Sequence, residues 1–225
     1  MRLALRMLPH PMEITLCDLH RKKPFLEEVR RELIERHGFR GPVHIAAAGE
    51  ELPAELYEQT TIIGATNAPG VLDIMRLGAG ALLVDDSTPP CFELERAAWR
   101  FEMNADILFT NGGMLRSPDA IRETVFLPKD ASAWADLAVI DDSASRIPGH
   151  ITACVLASLI SARSEELKPT LGLVETEDCA RCFRALRESG FQAAELHVGT
   201  YALEGPNISR FQREYSGARK PIAAN

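Results

Sequence analysis

The sequence predicts an α/β fold, a doubly wound parallel sheet with helices on both faces, and three observations carry that expectation. Short apolar runs recur along the first half of the chain, separated by helical segments. Each run is apolar on both of its faces, as strands are when helices cover both sides of a parallel sheet. The 225 residues are 46% hydrophobic and 25% charged, an ordinary globular composition. A chain of this length buries roughly 70% or more of its unfolded surface, so a sizeable core is available.

Taken in order, Arg2 to Leu8 reads as the tail of a helix, and Pro9-His10-Pro11 breaks it. Glu13 to Asp18 is a short buried strand. Pro24 to Glu35 places Phe25, Leu26, Val29, Leu33 and Ile34 at helical spacing, and Gly38 stops it. Val43 to Ala47 is a second strand and Pro53 to Glu58 a short helix. Thr61 to Thr66 is a third strand, closed by Asn67-Ala68-Pro69-Gly70. Val71 to Leu77 holds one or two helical turns, Ala81 to Asp85 a fourth strand, Phe92 to Met103 a helix, and Ile107 to Phe109 a fifth strand. Beyond Asn111-Gly112-Gly113 the rhythm changes. Ala120 to Lys129 reads as an extended excursion and Asp130 to Asp142 as a mixed acidic stretch. A long Ala/Ser-rich helix is expected from about Pro148 to Glu166, and an amphipathic one from about Glu177 to Glu188. The expected organisation is a cofactor-type region over 1–145, a helical segment over 146–204 packing on it, and a flexible tail over 205–225.

Charge and cysteine usage narrow the function classes. With 25 basic and 32 acidic residues the net charge is −7. No long Lys/Arg run offsets it, which argues against a nucleic-acid partner. No apolar stretch approaches the ~20 residues of a membrane span. Five cysteines at irregular spacing suit reduced thiols and a cytoplasmic protein better than a disulfide framework.

A dinucleotide-binding Rossmann unit opens with a strand, a glycine-rich turn and a helix whose N-terminus holds the pyrophosphate. Here the first strand ends at Asp18, where such a fold places its second strand's ribose-binding acid. The sequence contains no G-x-G-x-x-G. The expectation is therefore a Rossmann-like sheet that lacks its first strand and phosphate loop. Its second and fourth strands would lose the neighbour between them, so the chain is expected to dimerise or aggregate.

From Thr61 onward the residues resemble the cofactor half of the aldehyde-forming acyl-[acyl-carrier-protein] reductases. More loosely they resemble the NAD(P) domains of shikimate dehydrogenase and glutamyl-tRNA reductase. The segments that carry this are Ile62 to Leu72, Leu82 to Pro90, Thr110 to Met114, Arg146 to Cys154 and Glu188 to Gln192. Their order and spacing make the match, which covers about two thirds of the chain. The resemblance implies that Cys154, at the start of a long helix after an Asn-Gly-Gly segment, takes an acyl group from a carrier-protein or coenzyme A thioester. Nicotinamide hydride would then reduce the enzyme thioester to an aldehyde, with NADP or NAD as cofactor.

Cys154 is also a candidate on the residues alone. With a helix starting near Pro148, His150 and Cys154 are an i,i+4 pair on one face, and the imidazole can take the thiol proton. The plainer reading is core, since Ala153 to Ala157 is apolar. Cys91, after a Pro-Pro turn, ranks second as a nucleophile. Cys179 and Cys182 have CxxC spacing, but without a second ligand pair two cysteines on a helix flank is the better reading, and no metal is expected. Asp18 suits a ribose diol and NAD, while the basic run at Arg21 suits a 2′-phosphate and NADP. Thr66, Asn67 and Ala68 follow the third strand, and Asn111 and Gly112 the fifth, where ligands meet an open α/β sheet. Two other functions stay open: a dehydrogenase of the amino-acid or shikimate type acting on a small molecule without covalent catalysis, and a non-catalytic truncated paralogue that binds or dimerises.

Overall fold

A computed structural model describes residues 1–49, 51–121, 149–167, 169 and 174–216. The chain is α/β, with parallel sheets in its first half. It divides into two compact units, one formed by Met1–Thr110 with Glu204–Asn225 and the other by Asn111–Leu203. Expectations for 122–148, including the start of a helix at Pro148, fall outside the described residues, as does the tail beyond 216.

In the first unit, helix α1 (Arg2–Met7) precedes strand β1 (Ile14–Leu19), and helix α2 (Lys23–Glu35) leads to strand β2 (Val43–Ala48). The spacing of α2 explains its burial: Leu26 and Leu33 are buried and Val29 packs beside them, with Pro24 in the first turn. Gly38 ends the helix at φ +65°, and the Phe39 N–H turns back to the Leu33 carbonyl at 3.0 Å. Leu5, Ile14, Leu33 and Phe39 form one core cluster. The Arg2 guanidinium reaches Glu32 at 2.6 Å and ties α1 to α2. β1 and β2 are parallel, with Ile14 opposite Val43 and Asp18 opposite Ala47.

A second sheet has the order β3 (Thr61–Gly64), β4 (Ala81–Asp85), β5 (Ile107–Asn111). β3 and β4 are parallel, with Gly64 opposite Asp85. Helix α3 (Leu94–Asn104) feeds β5 through Ala105, which takes a left-handed φ of 52°. Phe101 and Phe92 both meet the Phe109 ring edge-on. A single 3-10 turn at Ala54–Leu56 stands where a short helix was expected, and another at Ile74–Arg76 supplies one helical turn within Val71 to Leu77. The segment after Gly205, read from composition as a flexible tail, instead contains a helix, Pro206–Tyr215. Proline opens it, and buried Phe211 anchors it.

The second unit holds a small antiparallel sheet in which β6 (Met114–Arg116) is central. β7 (His150–Thr152) lies on one side and β8 (Gln192–Ala193) on the other. Helix α4 (Ala153–Arg163) follows β7 without a loop, and helix α5 (Thr176–Glu188) ends at Gly190. A two-stranded ribbon, β9 (His197–Val198) and β10 (Tyr201–Ala202), completes the unit. No helix among the described residues is long and apolar enough to cross a membrane.

Candidate functional site

Asp18 sits at the carboxyl end of β1, half-buried, and one of its oxygens accepts the Leu19 N–H at 2.7 Å. Arg21 is exposed in the 3-10 turn that follows, between His20 and Lys22. Thr66, Asn67 and Ala68 follow the carboxyl end of β3. There the Thr66 N–H donates to the Ser87 hydroxyl at 2.9 Å, and the Ala68 N–H donates to the Thr66 hydroxyl at 3.1 Å.

That loop is braced from below by Asp85, whose side chain lies inside the protein. Asp85 accepts the Ser87 N–H at 3.1 Å and the Cys91 N–H at 2.7 Å. Gly64 leaves the room this carboxylate needs: a Cβ there would stand 2.5 Å from an Asp85 oxygen and 2.9 Å from the Cys91 sulfur. Cys91 itself is buried, and burial with the Asp85 charge pushes its thiol up to about 12. Cys91, ranked second as a nucleophile from the sequence, thus lies buried inside the protein rather than open to a substrate.

In the second unit the sequence reading of Cys154 needs a correction. The chain is extended through His150–Thr152 and becomes helical at Ala153, so His150 and Cys154 do not share a helical face. Cys154 stands in the first turn of α4 rather than two turns inside it. Of the five cysteines it is the exposed one. The turn after β5 is brought to the same place: the Gly113 carbonyl accepts the Ala153 N–H at 2.7 Å, one residue before the thiol. Gly113 therefore adjoins the start of the cysteine helix, two residues after Asn111 and one after Gly112.

His150 is enclosed, its side chain 4% exposed. Its Nε2 lies 3.0 Å from a Glu195 carboxylate oxygen, and its Nδ1 has no hydrogen-bond partner. The other Glu195 oxygen takes the Arg116 guanidinium at 2.9 Å, and Arg116 also donates to Gln192 at 2.6 Å. Glu195's own backbone N–H, the His150 imidazole and Arg116 hold the Glu195 carboxyl below the usual range. His197 packs against His150 with ring centroids 5.1 Å apart, and its Nδ1 donates to the Glu195 carbonyl at 2.7 Å. Sequence reading missed Glu195, because a single Glu outside any motif gives no signal until the fold brings it to His150.

Cys179 and Cys182 are half-buried on α5, and burial pushes the Cys182 thiol up. Among the described residues no group of three His, Cys, Asp or Glu could hold a metal ion. Comparison with known proteins found no matching family model, no matching curated protein and no matching solved structure.

Proposed function

We propose that this chain is the cofactor half of an NAD(P)-dependent oxidoreductase that reduces an acyl thioester to an aldehyde through an acyl-enzyme on Cys154. The observation that carries the reading is the bond from the Ala153 N–H to the Gly113 carbonyl, which seats the Asn-Gly-Gly turn against the first turn of the cysteine helix. Cys154 is exposed in the first turn of that helix and so is open to a large acyl donor.

Strand order supports the cofactor part. Among the described residues β1 pairs with β2 alone and β3 with β4 alone. A dinucleotide-binding sheet runs 3-2-1-4-5-6. The adjacencies β2-β1 and β3-β4-β5 are that order with its first strand left out. Asp18 at the end of β1 suits a ribose diol, with Arg21 beside it for a 2′-phosphate, and Thr66 to Ala68 lie at the end of β3. The pyrophosphate end fits less well, because the first-strand turn that holds it has no counterpart in the sequence. When bound, the nicotinamide supplies the hydride.

The chain's own part is acyl transfer. The Cys154 sulfur attacks the thioester carbonyl, the carrier's sulfur leaves and takes a proton, and the acyl group rests on the enzyme. Reduction then releases the aldehyde and returns the thiolate. Incubating the chain with an acyl-carrier-protein or coenzyme A thioester should give a Cys154 adduct that hydroxylamine removes, and added NADPH or NADH should give aldehyde. Cys154→Ser should abolish both. An undiminished rate in that variant would leave the non-covalent dehydrogenase. One further reading, a non-catalytic binding partner, predicts neither adduct nor aldehyde.

A further inference from the structure

Helix α5 carries two thiols in its first two turns, and the helix itself sets their geometry. Cys179 and Cys182 are both half-buried, with buried Ala180 beside them. Residues three apart on an α-helix share a face. Their Cα atoms stand about 5 Å apart, inside the roughly 4.4 to 6.8 Å that a disulfide spans. Their Cβ atoms, at about 5 to 6 Å, exceed the roughly 3.5 to 4.5 Å of a relaxed disulfide. The pair therefore closes only if the chain between the two cysteines tightens. The helix can yield at this end. No side chain caps its N-terminus, and the Cys179 N–H bonds back to the Glu175 carbonyl at 3.2 Å, opening the helical ladder.

We propose that Cys179 and Cys182 are a redox-responsive dithiol, closed to a disulfide by a low-molecular-weight disulfide and reopened by the matching thiol, and that closure loosens the first turn of α5. In the first exchange the Cys179 thiolate attacks one sulfur of the small disulfide. A mixed disulfide forms on Cys179, and the other sulfur leaves and takes up a proton. In the second exchange the Cys182 thiolate attacks the Cys179 sulfur and expels the second small thiol. Two protein thiols are oxidised, and one small disulfide is reduced to two thiols. Burial first, and then the charge of Cys179, hold the Cys182 thiol up. In the mixed disulfide Cys179 carries no charge, so the second of these obstacles is gone when Cys182 has to ionise. A disulfide that strains its helix is readily reduced, which suits a reversible switch rather than a permanent cross-link. Nothing in this step depends on Cys154.

The test places the full, folded chain in glutathione buffers of graded reduced-to-oxidised ratio, then quenches with acid and alkylates the remaining thiols. Trypsin cuts after Arg181, between the two cysteines, so their peptides stay joined only where a disulfide links them. In chain that runs as a monomer without reductant, mass spectrometry should find the joined peptides as the main oxidised form. Excess reduced glutathione should part them. Cys182→Ser cannot complete the second exchange and should yield a Cys179–glutathione adduct instead. Hydrogen exchange at the Cys179 amide should rise several-fold on closure. Separate glutathione adducts on Cys179 and Cys182 in the unsubstituted chain would overturn the dithiol, as would two free thiols at ratios that modify exposed Cys154. Joined peptides with unchanged exchange at Cys179 would overturn the loosening of the first turn.

Discussion

Arg100 grips Asp106 with two parallel bonds, Nε to one carboxylate oxygen at 3.0 Å and Nη2 to the other at 2.7 Å. The same guanidinium donates to the Ile74 carbonyl at 2.6 Å and the Leu77 carbonyl at 2.9 Å. One buried charge thus joins α3, the 3-10 turn at 74–76 and the approach to β5. The fork geometry is one that lysine cannot copy. Arg100→Ala leaves a carboxylate and two carbonyls without their donor. It should lower unfolding free energy by about 3 to 5 kcal/mol, the range for breaking a buried pair. Arg100→Lys should fall between. Urea unfolding of the three chains checks the order.

The contact of Gly64 with Asp85 gives a second expectation. A methyl group at 64 meets a carboxylate oxygen and a sulfur, both inside packed structure. Gly64→Ala should cost about 1 to 3 kcal/mol, as overpacking does. The displaced carboxylate also loosens its bonds to the Ser87 and Cys91 N–H groups. Hydrogen exchange at those two amides should rise in the variant, and unchanged exchange would show that the carboxylate keeps its place.

The local rules that made the fold readable are the ones that failed at the site. Pro24, the Leu26–Leu33 spacing and Gly38 delimit α2 because cap, stripe and stop all lie within one segment. Strands β1 to β5 are visible for a similar reason, as apolar runs between turn residues. The β6-β7-β8 sheet left no such trace: its strands hold two or three residues, and its pairings join Met114 to Thr152 and Arg116 to Gln192 across long sequence separations. The apolar stretch after His150 suggested a helix from Pro148, although β-branched Ile151 and Thr152 ahead of Ala153 were the signal of extended chain. Arg100 was invisible for a different reason. Two of its acceptors are backbone carbonyls, which any residue type supplies.

Cys91 makes stability depend on alkaline pH. Its thiol rises from the ordinary 9.0 to about 12 in the folded chain, first through burial and then through the Asp85 charge. The unfolded chain therefore loses this proton first. The contribution is fully present below about pH 9 and is lost as pH climbs towards about 12. Replacing Cys91 by Ala removes the thiol, so the stability of Cys91→Ala should fall less steeply between about pH 9 and about pH 11. Urea midpoints for both chains across that interval measure the difference. Parallel curves would mean that the thiol ionises as easily inside the protein as outside it.

The open sides of β1 and β3 give the last expectation. Each strand has one hydrogen-bonded neighbour among the described residues, and Ile63 on β3 is 56% exposed. An edge of this kind offers unpaired N–H and C=O groups together with apolar side chains, a template for another strand. A second copy can meet it across a two-fold axis, which would pair like edges antiparallel. The chain should therefore self-associate as concentration rises in sedimentation velocity. Ile63→Lys sets a charge on the edge and should shift the distribution towards monomer while leaving buried Leu83, on the neighbouring strand, in place. If the unsubstituted chain stays monomeric throughout, the edges are covered, and the sheet with its first strand left out is the wrong account of β1 and β3. Should self-association persist unchanged in the lysine variant, the edge of β3 is not the surface that joins the copies.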